Sequence, residues 1–264
     1  KVVNNLEGIN CRWSNIEDLI SKPVTGVIVA NEVLDAFPVE RLVFTDNKVF
    51  RQGVSLRRIN DDYYLEFVDL MPTSLIINFL NDSNSLLKIE FPPKDICNRW
   101  VTEWHCDLPS WFRKLSNILR NGSLLVVDYA MESKRYYNAI RKDGTLLSYR
   151  NQEANSNLLK DAGLCDLTAH LCIESTINYA LTNGWNFIGE TRQGQALLAL
   201  GLSGFLYSLQ NTDINNLSAA LNRRESLLRL VDPMGLGDFR WLAFQKRNND
   251  DLILGKRFLE EPTS

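Results

Sequence analysis

The chain has 264 residues, of which 45% are hydrophobic and 23% charged, and its formal net charge is −3. This length suits one large domain or two small ones, and the slightly acidic balance argues against nucleic-acid binding as the main role. No apolar run approaches the roughly 18 residues of a membrane span. The five irregularly spaced cysteines favour a reducing compartment, with no disulfide framework and no metal site.

The first half of the chain begins with α/β character and then becomes rich in β structure. We predict a short strand over residues 9–13, a helix over about residues 15–21, and a strand buried on both faces that starts at Gly26. From residue 39 the pattern predicts an inserted β meander, and a helix follows over about residues 73–82. The strands of the meander are predicted at residues 41–44, 49–51, 54–58 and 63–68.

The end of the Gly26 strand carries the first candidate site. The apolar run stops at Asn31 and Glu32, and a second carboxylate, Asp35, follows three residues after Glu32. Ligands of open α/β sheets bind beyond the carboxyl ends of the strands, and in a following helical turn this spacing would put Glu32 and Asp35 on one face. Two carboxylates there can hold a cation and accept a proton. The alternative is that Asn31 and Glu32 only cap a helix N-terminus.

The second half of the chain repeats the pattern of an apolar strand that ends in polar, acidic residues. Apolar residues at helical spacing predict a helix over residues 102–120 that stops at Asn121-Gly122. It leads into a second buried strand, residues 123–129, which ends in Asp128 and Tyr129. We predict that the strands near Cys11, Gly26 and Ser123 are parallel neighbours in one sheet, with at least one later antiparallel strand. Because two strands end in acidic side chains, we expect a shared crevice at one edge of the sheet.

A polar region and several helices complete the chain. Residues 130–170 are predicted to be loop-like, with a turn at residues 144–146 that leads into a strand. Three helices and a final strand are predicted after this region, at about residues 174–183, 193–208, 214–231 and 239–244.

Seven short motifs, in the same order along the chain, resemble the MidA-like methyltransferase family. The first, Ala30-Asn31-Glu32-Val33-Leu34-Asp35-Ala36-Phe37-Pro38-Val39, is similar to the family signature A-[NH]-E-x-x-D-[AV]-[LF]-P-V. The others are Thr102-Glu103-Trp104, Val127-Asp128-Tyr129, Gly144-Thr145-Leu146 leading to Tyr149-Arg150, Asp166-Leu167-Thr168-Ala169-His170, Thr191-x-Gln193 with Gly201-Leu202, and Asp232-Pro233-Met234-Gly235-Leu236-Gly237-Asp238-Phe239. The resemblance runs from about residue 26 to residue 246.

The chain departs from the family pattern at three places. Gln152 stands where the family commonly has a histidine, and Leu171-Cys172-Ile173 replaces Val-Asp-Phe and so lacks an acid. The family's glycine-rich loop, which packs against the amino acid end of the cofactor, is not found, and Gly235-Leu236-Gly237 precedes a strand in the wrong context for that role. Since the chain also begins at Lys1, we expect it to be the later two-thirds of a methyltransferase and inactive by itself.

The resemblance implies an α/β fold with a Rossmann-like class I methyltransferase sheet that lacks its first two βα units. It implies a methyltransferase-like domain, residues 1–38 and 94–264 with helical additions at about 174–231, and a β-rich substrate-side subdomain, residues 39–93. S-adenosylmethionine is the implied cofactor, and a protein arginine the acceptor. A respiratory complex subunit is a candidate acceptor, and the implied location is the bacterial cytoplasm or the mitochondrial matrix.

The resemblance also assigns roles to residues. Glu32 and Asp35 would orient the acceptor guanidinium and withdraw its proton through charge-assisted hydrogen bonds. Asp128 and Tyr129 would line the acceptor side, with His170 as a candidate base or a structural residue. The candidates for holding the cofactor are Trp13, Ser14, Asn31 and Glu32, and those for the substrate side are Arg150, Asp166 and Thr168. Asp166 and Thr168 could equally form a turn or a helix cap.

Two other functions compete with this one. A non-catalytic module on the same fold would dock a partner protein through the β meander and the C-terminal helices. A nicotinamide-dependent oxidoreductase would need a G-x-G-x-x-G segment between a strand and a helix, which the sequence does not supply.

Overall fold

The computed structural model describes residue 11 and residues 13–96, 98–151, 153–209, 217–246 and 256–261. The strands within these residues are β1 (Val24–Asn31), β2 (Glu40–Thr45), β3 (Lys48–Ile59), β4 (Asp62–Leu70), β5 (Arg99–Trp104), β6 (Leu119–Asp128), β7 (Ala130–Met131), β8 (Leu147–Arg150), β9 (Glu153–Asn155), β10 (Asp166–Thr168), β11 (Leu171–Cys172), β12 (Asn186–Arg192) and β13 (Arg240–Lys246). The α-helices are α1 (Ile16–Ile20), α2 (Ser74–Leu87), α3 (Leu108–Ile118), α4 (Ser133–Tyr136), α5 (Ile173–Thr182), α6 (Gln193–Ala199), α7 (Leu202–Ser208) and α8 (Leu217–Val231). Short 3-10 helices lie at Leu236–Asp238 and Arg257–Leu259.

The first sheet carries the candidate site. Its strand order is β1-β6-β13-β12. β1 and β6 are parallel, with Val27 opposite Ser123, and β13 runs antiparallel to both β6 and β12. The predicted parallel pairing of the Gly26 and Ser123 strands, and the later antiparallel strand, are confirmed. Because β1 and β6 are parallel, Asn31 and Asp128 lie at the same edge of the sheet.

Helices cover both faces of this sheet. On one face, Phe112 and Leu115 of α3 and the side chain of Trp185 are buried against sheet residues such as Leu124 and Phe244. On the other face, Ala196 of α6 and Phe258 join a smaller cluster around strand residues of β6 and β13. Burial on both sides explains the apolar runs of β6 and β13. The predicted burial of β1 on both faces is wrong: among the described residues β1 is an edge strand of this sheet, and its Val27 and Val29 are 44% and 62% exposed.

The second sheet is antiparallel and has the order β4-β3-β2-β5. Helix α2 packs on it through Ile76 and Phe79, which share a core with Phe44, Trp100 and Trp104. The predicted helix after the meander is confirmed and is longer than expected. This sheet takes in β5, so it extends past residue 93, where we placed the end of the substrate-side subdomain.

Two predictions about the second sheet are wrong. Residues 102–104 belong to β5 and not to a helix, and α3 begins only at Leu108. All residues of β5 after Arg99 are buried, and a strand buried on both faces cannot be distinguished from a helix by periodicity alone. The segments 49–51 and 54–58 form one continuous strand, β3.

Three predictions about the second half need correction. Strand β12 was not predicted; its register with β13 shifts between Phe187 and Gly189, which breaks the alternation of a regular strand. The helix expected over residues 193–208 is divided into α6 and α7 at Gly201, whose φ is 100°. Asn121 and Gly122, the expected helix stop, lie inside β6.

Parts of some predictions lie outside the described residues. These are residues 9, 10 and 12 of the first predicted strand, Gln152, and the first residues of the helix expected at 214. Residues 11 and 13, which are described, form no strand. No helix among the described residues has the length and apolar character needed to cross a lipid bilayer.

The close approach of β1 and β6 yields a stability prediction. A Cβ on Gly122, whose φ is +152°, would lie 1.9 Å from the backbone oxygen of Gly26. We expect Gly122→Ala to lower the free energy of unfolding by about 2–4 kcal/mol, because the strands must separate and the backbone is strained. Chemical denaturation measures this change. Gly26→Ala is the matched control, because its Cβ would meet nothing within 4 Å; equal losses in the two variants would contradict the prediction.

Candidate active site

A sharp turn after β1 forms one wall of the site. Glu32 adopts a left-handed conformation with φ 49°, and its N–H donates to the carbonyl of Val127 at the end of β6, at 2.9 Å. The chain then turns through a hydrogen bond from the Phe37 N–H to the Leu34 carbonyl, at 3.1 Å. No helix follows β1, so the expected helical face and the alternative of a helix cap are both wrong. The turn brings Glu32 and Asp35 to the sheet edge instead.

Asp128 anchors this turn from β6. Its carboxylate accepts hydrogen bonds from the backbone N–H groups of Leu34, Asp35 and Tyr129, at 3.0, 3.3 and 2.9 Å. The side chain is buried, with 1% exposure. Burial, together with the negative charge of Asp35, raises the pKa of Asp128 to about 7. Asp128 therefore fixes the geometry of the turn and can exchange a proton near neutral pH.

Asp35 lies beside Asp128 and is also buried, with 5% exposure. Burial raises the pKa of Asp35 above its usual value, and the charge of Glu32 adds to this shift. Its Oδ1 atom has no hydrogen-bond partner among the described residues. A buried carboxylate oxygen without a donor is unusual in a folded protein, and it provides an acceptor for a donor group of a ligand.

Tyr129 directly follows Asp128, a member of the acidic cluster, which we define as Glu32, Asp35 and Asp128, and its ring lies beside that of His170. Its ring centroid lies 5.6 Å from that of His170 and 4.1 Å from that of Phe239. Burial, and then the charge of Glu32, raises the pKa of Tyr129 to about 12. Its phenol therefore stays protonated at neutral pH and can donate a hydrogen bond.

Backbone hydrogen bonds tie the His170 segment to the acidic cluster. The N–H of Ala169 donates to the carbonyl of Asp35 at 2.9 Å, and the N–H of Leu171 donates to the carbonyl of Tyr129 at 2.8 Å. The N–H of His170 itself donates to the Oγ1 atom of Thr145 at 3.2 Å. The structure thus brings His170 next to the ends of β1 and β6.

The imidazole of His170 is neutral at physiological pH. Burial lowers its pKa to about 4, and the positive charges of Arg141 and Arg135 act in the same direction. Asp238 opposes the shift. A base with so low a pKa accepts protons weakly, so His170 suits hydrogen bonding better than proton removal.

Buried Glu103 connects the second sheet with this site. Its carboxylate accepts hydrogen bonds from the N–H of Thr145 at 2.7 Å and from the Arg41 Nε atom at 3.3 Å. A Cβ on Gly144, with φ +75°, would lie 2.2 Å from this carboxylate. The motifs around Glu103 and Gly144 therefore form one unit that holds Thr145, the acceptor for His170.

A cavity of about 450 Å³ opens beside Tyr129 and His170. Besides these two it is lined by Ala130, Met131, Arg135, Pro233, Met234, Gly235, Leu236, Asp238 and Phe239. The side-chain amide of Gln193 donates to the carbonyls of Leu230 and Leu236, at 3.2 and 3.0 Å, and so holds the loop that forms one wall. The motif around Gln193 was noted in the sequence, but no pattern indicated that it supports this loop.

The other predicted residues lie away from the acidic cluster or at its border. Trp13 is 85% exposed, and the hydroxyl of Ser14 donates to Asn15 and Asp18 next to α1. Arg150 forms an exposed ion pair with Asp161 at 2.7 Å.

Asn31, at the end of β1, does lie at the cluster, and its amide donates to Glu32 at 3.5 Å. Asp166 and Thr168 belong to β10, which pairs with β8 so that Asp166 faces Tyr149. Tyr149 is near enough to influence the pKa of Tyr129, so this small sheet borders the site. Within the described residues, no group of three or more His, Cys, Asp or Glu side chains could hold a metal ion.

The fold and the site define an α/β protein with a cluster of three carboxylates at the carboxyl edge of two parallel strands of its sheet. The chain belongs to the family described as "Putative S-adenosyl-L-methionine-dependent methyltransferase", whose profile matches residues 4–191. No curated protein matches the chain.

Two crystal structures of proteins from Burkholderia thailandensis share the fold. One, described as a "likely methyl transferase" bound to S-adenosyl-homocysteine, has a TM-score of 0.75 and 25% identity, and the match covers 92% of this chain and 58% of that one. The other, described as an uncharacterized protein of the same superfamily, has a TM-score of 0.74 and 26% identity, with 92% and 60% covered. The chain therefore spans less than two thirds of these neighbours, and its fold is the Rossmann-like fold of methyltransferases.

Proposed function

We propose that this protein is an S-adenosylmethionine-dependent methyltransferase that modifies an arginine side chain of another protein. Membership of the family and the neighbour bound to S-adenosyl-homocysteine support the cofactor. The proposal that the acceptor is an arginine rests on the acidic cluster, which lies at the carboxyl edge shared by parallel β1 and β6. A guanidinium is permanently protonated, so its methylation needs groups that hold a cation and take up a proton.

The residues present fit both the cofactor and the acceptor. Asn31 and Glu32 end β1 with exposed polar side chains, and we assign them to hold the cofactor at the strand end. Bound S-adenosylmethionine supplies an activated methyl group. Glu32 and the unpaired Oδ1 atom of Asp35 orient the acceptor guanidinium by charge-assisted hydrogen bonds. As the new N–C bond forms, one of these carboxylates accepts the proton that the nitrogen loses.

The other residues position the acceptor and exclude water. Asp128 keeps the turn that carries Glu32 and Asp35 in place. We assign Tyr129, which directly follows Asp128, to the acceptor side of the site, where its protonated phenol can donate a hydrogen bond.

The acceptor class can be tested without knowing the acceptor protein. The full-length protein is incubated with S-adenosylmethionine labelled in its methyl group and with a protein extract of its host that lacks the gene. The labelled protein fraction is then hydrolysed, and its amino acids are separated. We expect the label in methylarginine. Label only in other amino acids would contradict arginine as the acceptor, and no transfer would contradict the enzyme activity.

Glu32→Gln tests the role of the exposed carboxylate. The amide keeps the shape but loses the charge, so we expect single-turnover transfer to slow by about 10- to 150-fold, corresponding to the loss of a charge-assisted hydrogen bond. The thermal unfolding temperature should change little, and saturating S-adenosylmethionine keeps any loss of cofactor affinity out of the measured rate. Glu225→Gln, on the exposed surface of α8, is the matched control. An unchanged rate with a lower unfolding temperature would show that Glu32 is only structural.

A non-catalytic protein-binding module is the second candidate function. The hairpin of β3 and β4 exposes apolar side chains on one face, where Val54 lies opposite Phe67 and Leu56 opposite Leu65. Exposed apolar patches of this kind often mark protein contacts. Titration of the full-length protein with S-adenosylmethionine separates the two functions, since a binding module need not retain any affinity for the cofactor.

A further inference from the structure

Two arginines beside His170 lack an acidic partner. Within the described residues, neither Arg135 nor Arg141 forms an ion pair with a carboxylate. The Nη2 atom of Arg141 contacts the Sδ atom of Met131 at 3.6 Å, and its Nε atom is buried without a hydrogen-bond partner. Both guanidinium groups are close enough to His170 to depress its pKa. A buried guanidinium N–H group without an acceptor destabilises the folded protein unless a ligand supplies the acceptor.

The acids nearest to these arginines are already engaged. Glu132 accepts a hydrogen bond from Arg240. Asp238 forms an ion pair with Arg192 at 3.2 Å. The charge of Arg135 also lowers the pKa of Glu132, but within the described residues no hydrogen bond joins their two side chains. Neither member of the arginine pair, defined as Arg135 and Arg141, is therefore bonded directly to one of these two carboxylates.

Accessible space adjoins the arginine pair on two sides. Arg135 lines the cavity beside Tyr129 and His170. Together with Arg141, Asn138 and Ile140 it also lines a second, more open cavity of about 390 Å³. A ligand group can therefore reach both guanidinium groups without displacing the core.

We propose that Arg135 and Arg141 form a subsite for a carboxylate of the acceptor protein, on the opposite side of Tyr129 from the acidic cluster. This inference rests on the proposed function for the identity of the acceptor. The acidic cluster takes the arginine, and the arginine pair takes an aspartate or glutamate close to it in the acceptor. Guanidinium groups suit this role because they bind carboxylates through paired, charge-assisted hydrogen bonds. Met234 and Phe239 line the cavity that Arg135 shares with Tyr129 and His170, so we assign them to the acceptor segment between the two charges.

The first experiment detects the subsite with glutarate as the probe. The chain contains two histidines, so the imidazole signals of His105 and His170 can be assigned by NMR with the help of a His105→Gln variant. At pH 7.5 and constant ionic strength, we expect glutarate, but not chloride, to shift the His170 signal in a saturable way. Arg135→Gln together with Arg141→Gln should abolish the shift, and Arg224→Gln, an exposed arginine of α8, should keep it.

Arg141 is partly buried, so its replacement could disturb the fold. Arg135→Gln alone, at an exposed position, should weaken glutarate binding, and Arg141→Lys should retain part of it. A glutarate shift that survives the double variant, or no saturable shift in the native protein, would overturn the subsite.

The second experiment identifies the source of the carboxylate. Fluorescein-labelled peptides that carry arginine, phenylalanine and glutamate in succession are compared with peptides in which glutamine replaces the glutamate. We expect the glutamate peptide to bind about tenfold more tightly, as for a charge-assisted hydrogen bond, and the double variant to bind both equally. No preference in the native protein would show that the subsite takes a free anion and would overturn the assignment to the acceptor.

A second pair of peptides, with citrulline in place of arginine and either glutamate or glutamine, separates this inference from the proposed function. Citrulline has nearly the shape of arginine but no charge. If the citrulline peptides show the preference for glutamate and no arginine is methylated, the carboxylate subsite is supported and arginine as the acceptor is contradicted. If methylarginine forms but no peptide shows a preference for glutamate, arginine as the acceptor is supported and the carboxylate subsite is contradicted.

Discussion

Asp128→Ala is expected to lower the free energy of unfolding by about 3 kcal/mol. The carboxylate accepts three backbone N–H groups, from Leu34, Asp35 and Tyr129, and the alanine would leave all three without an acceptor in a buried setting. Asp128→Asn keeps one acceptor oxygen and should cost less, about 1 kcal/mol. Chemical denaturation at pH 7.5 measures both changes.

Asp82→Ala is the matched control, because this aspartate is exposed in the middle of α2. Its free energy of unfolding should change by no more than about 0.5 kcal/mol. If Asp128→Ala and Asp82→Ala had equal effects, Asp128 would not be holding the turn after β1.

The second expected result concerns the pH dependence contributed by His105. This side chain is 5% exposed, and burial, followed by the proximity of His170, lowers its pKa to about 4. Since an exposed histidine has a pKa near 6.5, the unfolded chain binds the proton more readily than the folded one between these two values. The stability contributed by neutral His105 is therefore fully present above about pH 6.5 and is lost as the pH falls towards 4.

His105→Gln should remove this dependence. When the pH is lowered from 7.5 to 5, we expect the native protein to lose about 2 kcal/mol more of its free energy of unfolding than the variant does. Asp128, whose folded pKa is raised to about 7, favours the folded state at low pH, but it does so in both proteins and cancels in the comparison. Unfolding curves at the two pH values provide the measurement, and parallel pH profiles of the two proteins would contradict the prediction.

Local patterns were sufficient to identify the strands that carry the site. The apolar runs that end in Asn31 and in Asp128 predicted two strands, and both strands form, but only the second, β6, is buried on both faces as expected. Their parallel pairing and the position of the acids at one edge follow from that pattern. The sequence motifs also indicated an S-adenosylmethionine-dependent methyltransferase, and the chain belongs to a family described in those terms.

Predictions from local sequence patterns were wrong at two places, one of them a strand whose burial on both faces removes the usual alternation of apolar and polar residues. Residues 102–104 looked helical because their apolar residues continue into α3, yet they complete the second sheet as β5. The segment after Asn31 looked like a helix start, yet Glu32 turns left-handed because its N–H reaches Val127 on β6. Both outcomes depend on hydrogen bonds to strands that lie far away in the chain.

By itself, the sequence determined the α/β class, the two parallel strands, their acidic ends and membership of a methyltransferase family. Only the tertiary structure decided that Asp128 holds the turn after β1, that Glu103 supports Thr145 and through it His170, and that Gln193 holds the loop beside the cavity. It also decided that Arg135 and Arg141 converge on His170. The reason is physical. The tendency to form a strand depends on residues that are adjacent in sequence, whereas these contacts join residues that are distant in sequence and meet only in the folded chain.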